Sequence, residues 1–249
     1  MIKTLFLTLV FLVMLAVAAF AFTPLDFVLS RAGLGSAGIG WAQAEGTLRK
    51  GRVDGLFLPN QYVGDVSLEL RPLSVLSGSL AYNVQWGGAS GRGTGILEIR
   101  SNKLKGRDLR AQLQISSIEG LAPIVRAAGG DVRLQDGSFE LTRTGCEAAG
   151  GRLTSDVLSR AALAYGREFG AVEGVLSCET GDFVLDAEGQ SESGDQLELD
   201  ARASLFGAAE VDVRVRTDDP ELPLVLSSAE FQLRDGIWSY RYESGGLVQ

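Results

Sequence analysis

QLELDARASL, residues 196–205, followed closely by EVDVRVRT, residues 210–217, decides the fold. Leu197, Leu199, Ala201, Ala203 and Leu205 fall on one side of an extended chain. Val211, Val213 and Val215 do the same in the second run. The alternate positions are Glu, Asp, Arg and Ser. A period of two with one apolar and one polar side is what a half-buried antiparallel sheet requires. The pattern recurs in DVSLEL (Val66, Leu68, Leu70), SLAYNVQW (Leu80, Tyr82, Val84, Trp86) and RDLRAQLQIS (Leu109, Ala111, Leu113, Ile115).

The turn residues agree with the strands. Asp136-Gly137, Thr180-Gly181 and Asp235-Gly236 each precede a short run containing an aromatic residue. Glycine reaches the positive φ angles of tight hairpins, and aspartate tolerates them. These dipeptides predict hairpins in a meander. Two segments read as helices instead. SSIEGLAPIVRAAGG (116–130) has Ser116 or Ser117 as a cap and ends at Gly129-Gly130; LTSDVLSRAALAYGREFG (153–170) has Thr154 or Ser155 as a cap and ends at Gly170. The expected fold is therefore mainly β (α+β): an antiparallel, curved β-sheet meander with two short helices on one face or end.

Composition narrows the function. The chain has 249 residues, a net charge of −8 and no histidine. Net acidity argues against nucleic acid as a partner, because phosphate must be met by a basic surface. The missing histidine removes the commonest general base and metal ligand. No G-x-S-x-G elbow is present. Asp182, Asp186 and Glu188 share one side of a strand and read as a solvated face; a calcium loop would need a different spacing of oxygens. No cofactor, metal site or small-molecule substrate is expected.

Two glycine-rich stretches invite a phosphate-binding reading and fail it. In AEGTLRKGRVDGLFL (44–58), Gly46 and Gly51 have P-loop spacing, but Arg52-Val53 stands where Lys-Ser/Thr should follow. GGASGRGTGIL (87–97) misses the dinucleotide fingerprint and is followed by no βαβ unit. The first is read as a hairpin with a short strand Thr47-Leu48-Arg49-Lys50, then a turn or bulge at Asp54-Gly55. The second is read as a flexible loop or bulge. Basic residues gather at Arg49, Lys50 and Arg52 and at Lys103, Lys105, Arg107 and Arg110. They read as ordinary surface, with anionic lipid headgroups as the alternative.

MIKTLFLTLVFLVMLAVAAFAF carries one charged side chain, Lys3, ahead of an apolar run from Leu5 to Phe22. That run is about long enough to cross ~30 Å of hydrocarbon as a helix. Residues 1–24 are read as a transmembrane anchor with a cytoplasmic N-terminus; Ala19-Phe20-Ala21 leaves a cleaved signal peptide as the alternative. Residues 25–40 form a juxtamembrane linker or short helix, and 41–249 a periplasmic β-rich domain. Either reading sends the bulk of the chain into an oxidising compartment. There Cys146 and Cys178 are expected to form a structural disulfide, with two free thiols or a redox pair as alternatives.

Several segments resemble the type II secretion system protein N family (general secretion pathway protein N). Trp41 and Glu45-Gly46-Thr47-Leu48 through Gly51 are similar to its W…GTLWxG signature. Leu70-Arg71-Pro72-Leu73-Ser74-Val75-Leu76-Ser77-Gly78-Ser79-Leu80 is similar to its L-x-P-x-x-L-L-x-G-x-L stretch. Cys146-Glu147-Ala148-Ala149-Gly150-Gly151 with Thr154–Leu158, and Gly174-Val175-Leu176-Ser177-Cys178-Glu179, resemble its two cysteine segments. Arg49 stands where the family usually has tryptophan. The resemblance implies a non-enzymatic accessory component of the type II secretion system, single-pass in the inner membrane, with most of its chain in the periplasm. Its partners would be other secretion subunits, the secretin or the inner-membrane platform. Thr47, Leu48, Arg49 and Phe57 are the candidate partner-contact strand. The family also looks distantly like AsmA-type periplasmic sheets, and that implies an alternative: a β-sheet that binds or transfers lipid.

Overall fold

A computed structural model describes residues 22–33, 35, 38–58, 61–117, 126–127, 129–163, 168–205 and 208–244, together with Phe11. The predicted helix at 116–130 falls mostly outside these residues, as does the apolar run of 1–24. Among the described residues no helix is long and apolar enough to cross a membrane.

The described strands form one antiparallel sheet. They are β1 (Gln43–Gly46), β2 (Lys50–Leu58), β3 (Gln61–Leu70), β4 (Leu80–Gly88), β5 (Gly91–Arg100), β6 (Lys103–Gln114) and β7 (Asp131–Thr142), then β8 (Gly145–Ser155), β9 (Val172–Glu179), β10 (Asp182–Gln190), β11 (Gln196–Ala203), β12 (Ala209–Arg216), β13 (Gln232–Arg234) and β14 (Ile237–Ser244). Spatial order follows chain order except at the end, where β14 lies against β12 and β13 is the outer strand. Both outermost strands are short, as edges exposed to foreign pairing usually are. All five alternating runs named above lie in strands except at their ends, where Ile115 opens a 3-10 turn and Leu205 follows β11. Their apolar positions share one face, because the register aligns Val53, Val66, Trp86, Gly93, Ala111 and Leu134 across successive strands. The same row continues through Leu153, Gly174, Ala187, Leu199, Val213 and Tyr240.

Among the described residues four short α-helices accompany the sheet: α1 (Leu25–Arg31), α2 (Pro72–Leu76), α3 (Val157–Leu163) and α4 (Leu222–Ser228). α1 is the short helix that the reading of residues 25–40 allowed; the expectation of two helices is corrected by α2 and α4. Each is short enough for its apolar spacing to be overlooked, and in α4 it is Leu222, Val225 and Leu226. The α3 helix begins later than expected. Leu153, Thr154 and Ser155 pair with β9 instead, and the Ser155 hydroxyl accepts from the Val157 N–H at 3.3 Å. The helices cover the apolar face in two patches. Leu25 of α1 packs with Val53 and Val66, with Leu48, Trp41 and Trp86 around them. Leu226 of α4 packs with Leu197 and Val215, joined by Leu158 of α3, Phe169 and Trp238. No described side chain is fully buried. Among the described residues the face is covered at these two places, and apolar side chains between them are partly exposed.

Glycine lets bulky side chains lie flat on this face. Trp86 is paired across strands with Gly93, and a Cβ at Gly93 would overlap its indole ring. Phe139 lies over Gly106 in the same way, with a built Cβ 2.5 Å from the ring. The stretch 87–97 is therefore a hairpin, with its strands broken by a bulge near Gly95, rather than a flexible loop. Asp136-Gly137 is likewise a correction. Asp136 has φ 51°, but both residues lie inside β7, at a register shift against β8. A residue at positive φ serves a turn or a bulge equally. Here the flanking runs keep the same neighbours on both sides, so the chain bulges and does not reverse. Thr180-Gly181 and Asp235-Gly236 do close two-residue hairpins.

A polar node secures the end of the sheet beneath α4. Asp195 is 5% exposed. Its carboxylate accepts from the hydroxyls of Thr217 at 2.6 Å and of Ser191 and Ser193 at 2.9 Å. Burial pushes this carboxyl up, but the hydroxyl donors outweigh it and hold it below the ordinary value. Asp195→Ala leaves those donors without their acceptor and is expected to destabilise the fold by about 2 kcal/mol. Urea unfolding at neutral pH measures this; a change within error would remove the node from the account.

Candidate functional site

The residues singled out as a partner-contact strand occupy a hairpin tip. Gly46, at φ 84°, ends β1, and the Thr47 N–H donates to the Lys50 carbonyl at 2.9 Å. Thr47, Leu48 and Arg49 therefore form the turn, which corrects the expected strand. The turn is used internally. Thr47 bridges Pro24, and the Leu48 N–H donates to the Thr23 carbonyl at 3.1 Å. The Arg49 carbonyl accepts from the Leu70 N–H at 2.8 Å. Phe57 lies further along β2, bridged to Gly40 and 44% exposed. The structure thus separates Phe57 from the other three. Asp54-Gly55 is the bulge expected there, with Gly55 at φ 63° and its N–H donating to Asp65 at 3.1 Å.

The polar face is a mosaic of paired charges. Arg52 is salt-bridged to Asp54 and, at 2.8 Å, to Asp65. Lys103 reaches Glu140 at 2.7 Å and Glu147 at 2.6 Å; Lys105 reaches Glu140 at 2.6 Å, and Arg107 reaches Glu98 at 2.6 Å. Much of the basic surface proposed from sequence is thus met by carboxylates of neighbouring strands. Asp186, Asp200 and Asp212 face one another across β10, β11 and β12. Burial and then the Asp200 carboxyl raise the Asp186 carboxyl above its ordinary value. Arg214 pairs with Asp200, and Arg241 with Glu210.

Glu140 provides a pH test of this mosaic. Hydrogen bonds from Lys103 and then Lys105 lower its pKa from 4.5 to about 2. A carboxylate depressed in the folded state stabilises it fully above the unfolded value, and that contribution is lost as pH falls towards the folded value. The stability advantage of the native chain over Glu140→Gln is therefore expected at neutral pH and should shrink as pH falls through that window. Denaturant melts at a series of pH values measure it. An advantage independent of pH would contradict the assigned pairing.

Cys146 and Cys178 come together on the apolar face with a Cα separation of 5.8 Å, the spacing of a disulfide. Their position is informative. The β8–β9 ladder has four pairs, Arg152–Ser155 against Val172–Val175, and is the shortest in the interior of the described sheet. The cysteine pair lies beyond the point where that ladder stops. Nearby, the Cys146 N–H donates to the Gly181 carbonyl at 2.8 Å, and a Cβ at Gly145 would come within 2.5 Å of the same oxygen. The cysteine pair thus spans β8 and β9, where the interior of the described sheet has the fewest backbone pairs.

Among the described residues, apolar side chains between the two helix-covered patches are accessible. Ile99 is 48% exposed, and Leu97, Phe139, Leu176, Leu185 and Val211 are half-buried. Sequence reasoning found the alternation but not this exposure, because a period of two says which side is apolar and not what covers it. The Trp86–Gly93 pair was also missed, although reflecting Trp86 through the Ala89-Ser90 turn lands on Gly93.

The described strands thus define an antiparallel sheet protein, a meander whose apolar face is partly accessible. The chain is a member of the type II secretion system protein N family, whose family model matches residues 37–229. No curated protein and no solved structure matches it.

Proposed function

We propose that the chain is a non-enzymatic accessory component of a type II secretion system, held at the inner membrane by residues 1–24 with its sheet in the periplasm. Its partly exposed apolar face is the contact surface for another secretion subunit, the secretin or the inner-membrane platform. The observation that carries this reading is that face, flanked by helix-covered patches and seated in a chain of the protein N family. Contiguous apolar surface left accessible on a folded chain is a common mark of an interaction site. Thr47, Leu48, Arg49 and Phe57 are proposed as secondary contact positions. Deleting the chain from its host is expected to leave exported proteins in the periplasm; unchanged extracellular yield overturns the reading.

The same face supports a second reading, binding of lipid acyl chains, since Leu, Val and Phe line it. Native mass spectrometry of the full chain in detergent separates the two. The scaffold reading expects no co-purified phospholipid, and stoichiometric lipid favours the carrier.

A further inference from the structure

The outer edge at β14 is only partly closed. β14 pairs with β12 along Trp238–Ser244, but β13 covers its other side only along Ile237–Ser239. Among the described residues no strand lies along that side of Tyr240–Ser244. Hairpin geometry says which backbone groups are left there. The two-residue turn Asp235-Gly236 is flanked by the pair Arg234↔Ile237, and in such hairpins the closing pair exchanges both hydrogen bonds. Alternation then directs the N–H and C=O of Ser239, Arg241 and Glu243 away from β12. Those of Ser239 meet Gln232; those of Arg241 and Glu243 face the open edge. No register shift interrupts β14.

The sequence on this edge is self-complementary. It reads Tyr240-Arg241-Tyr242-Glu243-Ser244. We infer that the β14 edge pairs antiparallel with the β14 edge of a second copy of this chain, about a two-fold axis at Tyr242. In that register Arg241 of each copy opposes Glu243 of the other. These are the residues whose backbone groups face away from β12 beyond the end of β13, so each opposed pair is hydrogen-bonded and carries opposite charges. Tyr242 meets its own counterpart in the central non-hydrogen-bonded pair. A register shifted to centre on Arg241 would set arginine against arginine and is disfavoured. Arg241 and Glu243 already lie 2.8 Å apart within one chain, with Glu243 side-chain exposure of 66%. Either can therefore turn to the second copy without uncovering a buried charge. The two-fold axis keeps both apolar faces on the same side, so the displayed surface continues across the junction. The interface is isologous and closed, giving a dimer rather than a filament.

Tyr242→Cys tests this in the full-length protein in detergent. Opposed non-hydrogen-bonded positions bring Cβ atoms to roughly 4.5–5.5 Å, close enough for a cross-strand bridge. Mild oxidation is expected to convert Tyr242→Cys to a covalent dimer and to leave Tyr240→Cys monomeric, since that residue is displaced from its counterpart. Adding Glu243→Pro to Tyr242→Cys removes one outward N–H while leaving the β12 ladder untouched. The dimer should fall to the Tyr240→Cys background with an unchanged circular dichroism spectrum. The inference is overturned if Tyr242→Cys stays monomeric, if both cysteines cross-link equally, if Glu243→Pro has no effect in a folded protein, or if the covalent product in cells is with a different protein.

Discussion

Replacing Cys146 and Cys178 together by serine is expected to lower the stability of the folded chain by about 3–4 kcal/mol, the loop-closure entropy of a cross-link of this span. The two residues are 32 apart in sequence. For a chain of this size that is roughly a 10 °C fall in Tm. The loss should be local before it is global. Arg152–Ser155 and Val172–Val175 are the residues of β8 and β9 that pair directly with each other, so without the cystine the seam has little else holding it. Amide exchange at Cys146–Gly151 and Leu176–Glu179 should therefore rise more than at the centres of β3 or β11. Calorimetry and hydrogen exchange of native and double-serine chains measure both effects. Equal stability, or exchange that rises evenly along the sheet, would show that the cystine does not hold the two parts together.

A second large effect is expected at Gly93. Valine there would place its Cβ inside the Trp86 indole, and the ring has to leave the face it covers. Displacing a packed aromatic side chain costs about 3 kcal/mol. Trp86 belongs to the patch that Leu25, Val53 and Val66 form, so the loss should spread to α1. The double variant Trp86→Ala/Gly93→Val removes the clash as well as the ring. Its cost should be smaller than the sum of the single costs, as for neighbours that share one space. Additive costs from denaturant unfolding would mean that the ring does not rest on Gly93.

The fold was legible where one physical signal determined one outcome. Alternation in Leu197–Ala203 and Val211–Val215 has a single good structural solution, and both runs are neighbouring strands, β11 and β12. Family motifs were equally readable, because their order along the chain does not depend on local geometry. Legibility failed where one residue type serves two ends. Asp136-Gly137 and Asp235-Gly236 have the same chemistry, yet the first bulges within β7 and the second turns between β13 and β14. Only the pairing of the flanking residues separates them, and that is a long-range fact. Thr47-Leu48-Arg49 misled for a related reason. Two framing glycines suggest a short strand, but Gly46 at positive φ already starts the reversal. The cysteines could be seen to pair, while their role at a short ladder depends on register. The exposure of Ile99 and the open side of Tyr240–Ser244 depend on what the rest of the chain leaves uncovered, which no local pattern encodes.

Whether the apolar face is the contact surface is measured by photo-cross-linking in the native host from that face itself. A benzophenone amino acid at Ile99, and in a separate strain at Leu185, would report what that surface touches. Both positions lie among the accessible apolar residues. A discrete adduct with another type II secretion subunit is expected from at least one of them, and none from Arg152 on the polar face. Adducts with phospholipid alone, or equal adducts from both faces, would contradict it.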